Sequence, residues 1–120
     1  MKTMMIATAF ALSLAGAAPA AAQDLEPQNK ADMQCFAALS WLGGQVAEDS
    51  PEMAGLTGGM MYYLGRLEGR SPNTDWLRQL GIYLDSVTEA ELGSDLERCG
   101  NELSVKGAAL VAWGDSLGGE

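Results

Sequence analysis

The stretch TEAELGSDLERCGNELSVKGAALVAWGDSL, residues 88–117, decides the architecture. Its first four residues, Thr88 to Glu91, have the form of a capping box, in which threonine and glutamate side chains each accept the other's free backbone N–H. Beyond it, Leu92, Leu96, Cys99, Leu103, Lys106, Leu110, Trp113 and Leu117 recur at intervals of 4, 3, 4, 3, 4, 3 and 4. That alternation places all eight on one side of an α-helix; strand side chains would repeat every two residues. One long helix accounts for the stripe despite Gly100 and Gly107. The alternative is a break near Gly100 and Asn101 into two shorter helices. On either reading the stripe is ordinary core.

Working back from residue 88, the same periodicity continues. Leu77, Leu80, Leu84 and Val87 recur at three, four and three, with Trp76 and Tyr83 alongside, which predicts a third helix after the run of caps in Ser71–Asp75. Ser50, Pro51 and Glu52 combine an N-cap, a proline at the first helical position and an acid at the positive end of the dipole. They start a second helix that runs to about Leu67, with Gly69 as its C-terminal cap. The segment from Asp32 to Leu42 is dense in helix formers and predicts a first helix to about Val46, weakened at Gly43 and Gly44. Residues 23–31 are polar, contain Pro27 and read as a flexible arm. The expectation is therefore a single all-α domain of about four helices over residues 32–118.

The first 22 residues have a different character. Lys2 is followed by an uncharged apolar run to Leu14 and then by small residues ending in Ala20 and Ala22, the three regions of a secretory signal peptide. Thr8, Ser13, Gly16 and Pro19 interrupt the run, and its strongly apolar part falls short of the roughly 20 residues of a spanning helix. Cleavage after Ala22 and a periplasmic destination follow as expectations, with no membrane span remaining. The mature chain then carries six basic and sixteen acidic side chains, a net charge of −10. Such a balance argues against nucleic acid and anionic membrane surfaces as partners.

Cys35 and Cys99 are the two cysteines, and both lie in the exported part. An even pair in an oxidising compartment reads as a structural disulfide. The Cys-x-x-Cys spacing of a redox enzyme is absent.

In the second helix, Met53, Leu56, Met60, Tyr63, Leu64 and Leu67 share one sector of about 100°, a normal core stripe. Gly58, Tyr62, Gly65 and Gly69 gather on roughly the opposite side, with Gly55 and Arg66 at its edge. Each helical glycine costs about 1 kcal/mol relative to alanine, so the face needs a reason. Three are open: close approach of a neighbouring helix, a partner pressing on the face, or neutral drift. The first would make the second helix central and buried on two sides. The second would use Tyr62 and Arg66 as aromatic anchor and bidentate donor.

The sequence offers little for catalysis. It has no histidine, which removes Ser-His and Cys-His constellations and the usual transition-metal ligand. No EF-hand spacing or phosphate-binding glycine loop occurs, and the acid pairs Glu91/Asp95 and Glu48/Glu52 read as solvated helix faces. Neither a metal nor another cofactor is expected, and no enzyme activity.

Several of these features together resemble the small periplasmic helical proteins grouped around the acid-stress chaperones HdeA and HdeB, and the similarly built immunity proteins of type VI secretion. They are the signal peptide, Cys35-Phe36 on the first helix, the Tyr63-Leu64-Gly65 segment followed by Gly69, and Cys99 leading into the last helix. The likeness spans most of residues 32–110. Unlike HdeA, the chain is acidic rather than lysine-rich and has many more glycines. The resemblance implies a non-catalytic role exercised by binding protein, either an unfolded client or one specific partner such as a toxin.

Overall fold

The computed structural model describes residues 25–119, and the expected signal peptide lies outside them. Four helices make up the described chain: α1 (Pro27–Gly43), α2 (Pro51–Arg70), α3 (Trp76–Leu84) and α4 (Glu89–Gly118). No strand occurs among the described residues. The fold is all-α and closed by a disulfide between Cys35 and Cys99, whose Cα atoms are 5.5 Å apart.

Helices α2, α3 and α4 start where the sequence places them. The Ser50 hydroxyl accepts the Met53 N–H at 3.3 Å, and Pro51 follows as the first helical residue. Asp75 accepts the Arg78 N–H at 3.0 Å. Thr88 and Glu91 complete the capping box, and α4 then runs unbroken through Gly100 and Gly107. Thirty helical residues span roughly 45 Å.

Three boundaries differ from expectation, each for a visible reason. Helix α1 begins at Pro27, so residues 27–31 belong to the domain rather than to an arm. Proline suits the first turn, and Asn29 in the same turn is buried, bonded to the Ser71 hydroxyl and to Arg70. The same helix stops at Gly43, three residues early, where the Gly44 N–H donates to the Ser40 carbonyl and the Gln45 N–H to that of Leu42. Helix α2 continues past Gly69 to Arg70 and is capped at Ser71, because Arg70 is held by Asn29 and Asp32 of α1.

The central element is α1, not α2. Helices α2, α3 and α4 all pack on α1, which buries Met33 and Cys35 through Leu39 in succession. The main core joins Met33, Cys35, Phe36 and Leu39 of α1 to Tyr63 and Leu67 of α2, Trp76 of α3 and Cys99 of α4. A second cluster sets Ala37 and Ala38 against Leu92, flanked by Trp41, Tyr83, Leu84 and Val87. On α3 the buried residue is Trp76, 3% exposed, whereas Leu77 is 65% exposed. Leu80, Leu84 and Val87 pack inward as expected, joined by Trp76 and Tyr83, and only Leu77 of the leucine series faces solvent. The Trp76 indole N–H donates to the Ser71 carbonyl at 3.1 Å, which gives the larger ring a polar anchor that leucine lacks.

Candidate functional site

The stripe on α4 divides in the middle. Leu92 and Cys99 are buried, and Leu96 and Leu103 pack against the core. Past Leu103 the body ends and the helix continues. Leu110 is 68% exposed, Trp113 63% and Leu117 62%, with Val105 and Val111 open on other faces. The expectation that the whole stripe is core therefore fails for its second half, which extends beyond the reach of α1 and α2. Isolated exposed apolar residues are ordinary, but here three stand in register on one helix face, including a tryptophan. At the junction with the body lies an open groove of about 510 Å³, lined by Tyr62, Leu103, Lys106, Gly107, Ala109 and Leu110.

The glycine-rich face of α2 resolves into two parts. A Cβ added at Gly55, Gly58, Gly65 or Gly69 would meet nothing within 4 Å. No helix of the described chain approaches there, which overturns close packing as the reason for these glycines. The close approach occurs one residue away. A Cβ on Gly59 would stand 2.8 Å from Leu103 Cδ1 and 2.9 Å from Leu39 Cδ1, so this glycine admits α1 and α4 together. Its omission from the predicted face follows from placement. On the helical wheel Gly59 falls between Tyr63, at the edge of the core sector, and Arg66, at the edge of the glycine face, so it belongs to neither pattern.

Tyr62 and Arg66, at the edge of that face, are committed within the fold. The guanidinium lies over the Tyr62 ring at 5.3 Å and donates to its hydroxyl at 2.9 Å. It also pairs with Asp32 of α1 at 3.1 Å and with Glu102 of α4 at 2.6 Å. Arg70 donates to the same Asp32 oxygen. Asp32 is 3% exposed, so the two arginines neutralise a carboxylate that burial would otherwise penalise heavily. Partial burial opposes the charge on Arg66. Its bonds to Tyr62, Asp32 and Glu102 outweigh that and raise its pKa above the ordinary arginine value. The clamp thus joins α1, α2 and α4 at the root of the exposed extension. The Tyr62 and Tyr63 rings meet edge to face at 5.1 Å. Burial, with Glu102 nearby, pushes the Tyr63 hydroxyl up to about 12, and it donates to the Cys99 carbonyl at 3.3 Å.

Comparison with protein-family models, curated proteins and solved structures returns no match.

Asp32 belongs to no motif in the sequence, although its spacing carries a signal. Asp32, Phe36 and Leu39 fall at helical intervals of four and three, so the acid sits on the core face of α1. Arg66 and Arg70, four apart on α2, supply its counter-charges.

Of the acids considered as pairs, Glu48 and Glu52 are exposed, with Glu48 outside α2, while Glu91 and Asp95 have structural occupations. Glu91 accepts the Thr88 N–H and hydroxyl, which hold its pKa below the usual carboxylate value. Asp95 pairs with Arg98 at 3.3 Å. Among the described residues no cluster of three or more histidine, cysteine or acidic side chains is arranged to hold a metal. No described helix is long and apolar enough to cross a membrane.

Proposed function

We propose that the mature chain is an exported, non-catalytic module that binds protein through the C-terminal half of α4. The observation that carries this reading is the row of Leu110, Trp113 and Leu117, open to solvent on a helix that has left its own core. A tryptophan flanked by leucines at helical spacing is the composition of a helix face that docks on another apolar surface.

Of the two partner classes, unfolded protein is favoured. Gly107, Ala109 and Gly114 flank the exposed row, and the segment from Leu103 to Gly119 carries only Lys106 and Asp115 as charges. A smooth surface of this kind makes few demands on the shape or charge of its partner. Acid extends the reading. Protonation of every carboxylate leaves the mature chain at about +7, and the arginines of the Asp32–Arg66–Glu102 clamp lose their counter-charges. The seam between α1, α2 and α4 then loosens around the disulfide and adds core leucines to the exposed face. This supports an acid-stress chaperone role. The immunity-type reading requires a specific folded partner.

Aggregation of an acid-unfolded model protein, followed by light scattering at pH 2–3, provides the test. The wild-type chain is expected to suppress it, and Leu110→Ser/Trp113→Ser/Leu117→Ser to do so poorly while keeping wild-type thermal stability at neutral pH. Equal suppression by the two chains would remove the α4 face from the function. No suppression by either, with one toxin captured at neutral pH, would favour the immunity role.

A further inference from the structure

The stripe of α4 has a stricter order than an amphipathic helix requires. Its spacing alternates four and three over 26 residues, the heptad pattern whose two apolar positions form the seam of a coiled coil. The domain's own helices cover the seam as far as Leu103, while Lys106, Leu110, Trp113 and Leu117 continue it without a partner. Taking the α4 face as the binding surface argued above, we propose that its resident occupant is the same segment of a second copy, paired antiparallel.

Charge selects both the partner and the direction. In a parallel pair the two Lys106 side chains would share one layer of the seam and repel. Antiparallel pairing matches the two apolar positions crosswise, so Leu110 meets the partner copy's Trp113, and Lys106 meets its Leu117. The ammonium of Lys106 then reaches the last turn of the partner helix, where free carbonyls gather partial negative charge. That last turn has no basic residue of its own. The same register carries the second Leu117 to the groove lined by Tyr62, Leu103 and Leu110, which lies where the body stops covering the seam. Asp115 projects from the opposite face of the helix, so it puts no acid into the seam.

The area is sufficient for an interface of modest strength. The open parts of Leu110, Trp113 and Leu117, with the Lys106 stem and the small flanking residues, amount to roughly 500 Å² per copy. Two copies would bury about 1,000 Å², the level at which specific interfaces begin. Micromolar self-association is the expected result.

Sedimentation equilibrium of the oxidised mature chain at neutral pH measures the association, and cysteine cross-linking measures its direction. In the antiparallel register position 109 of one copy faces position 116 of the other, while equal positions are separated by about 10 Å along the helices. Ala109→Cys and Ser116→Cys chains, mixed under mild oxidation, should therefore form a mixed cross-linked dimer, and each alone should form little. Trp113→Glu should reduce association at least tenfold without lowering thermal stability. A chain that stays monomeric at high micromolar concentration overturns the proposal, as does preferential cross-linking of each variant with itself. A monomer that still suppresses aggregation through Leu110, Trp113 and Leu117 would overturn self-pairing and leave the binding function standing.

Discussion

Glycine-to-alanine exchange along α2 should change sign within a single residue. Gly58 and Gly65 are interior helical positions at which an added Cβ meets nothing within 4 Å. Alanine there gains only helix propensity, about 0.8–1.0 kcal/mol per site. The two sites are seven residues, roughly 10 Å, apart on the helix and share no partner, so their effects should add. Gly58→Ala/Gly65→Ala is then stabilised by about 2 kcal/mol, which in a domain of this size raises Tm by roughly 8–16 °C. At Gly59 the same methyl would stand 2.8 Å from Leu103 Cδ1 and 2.9 Å from Leu39 Cδ1. Both are ends of flexible side chains and can shift, so Gly59→Ala should lose the propensity gain and come out near neutral. Gly59→Leu has no such outlet, and overpacking should cost about 1–3 kcal/mol. Thermal and urea unfolding of the oxidised mature chain, followed by circular dichroism, reads all of these variants. Destabilisation by Gly65→Ala would mean that something packs on the open face in solution. A neutral Gly59→Leu would refute the three-helix junction.

Other perturbations test the remaining contacts. Replacing Cys35 and Cys99 by alanine opens a linkage across 64 residues, and urea titration should show a loss of roughly 4 kcal/mol. Arg66→Ala/Arg70→Ala leaves the Asp32 carboxylate buried without a counter-charge and should cost about 3–5 kcal/mol. Adding Asp32→Asn to that pair should recover part of the loss, which a double-mutant cycle would show. The Glu91 pKa is lowered in the folded chain, so its contribution is fully present above the unfolded carboxylate value and is lost as pH falls through the folded one. Stability profiles of wild type and Glu91→Gln should therefore converge at low pH and separate above the ordinary carboxylate range.

The local signals of this fold were legible because they are chemical and short in range. Ser50-Pro51 and the Thr88–Glu91 box start α2 and α4 as their side chains require. The disulfide followed from two cysteines in a chain expected to be exported. What escaped depends on contacts distant in sequence. Residues 23–31 read as an arm because they are polar and contain Pro27, yet Ser71 and Arg70, more than 40 residues away, fix Asn29 in the first turn of α1. The cap at Gly69 was misplaced because Arg70 gains more from Asp32 than the helix does from ending early. Leu77 and Trp76 exchanged roles because periodicity is blind to which of two adjacent apolar residues has a polar anchor inside.

The candidate surface was half legible for a similar reason. Heptad spacing shows that Leu110, Trp113 and Leu117 share a face with Leu96 and Leu103. It does not show that α1 and α2 end at Leu103. The glycine face of α2 was visible as a pattern, but its openness, and the burial of Gly59 beside it, depend on which helices lie across α2.

Two surfaces of the chain are thus free to receive protein, the row on α4 and the glycine face of α2, and the account rests on the first. Amide hydrogen exchange distinguishes them most directly. The oxidised mature chain, dilute enough to be monomeric, is compared with and without a permanently unfolded protein, at neutral pH and at the lowest pH where the helices persist. Slowed exchange concentrated in residues 104–118 of α4 is the predicted result. Slowing confined to α2 around Gly58, Gly65 and Gly69, with α4 unchanged, would contradict it.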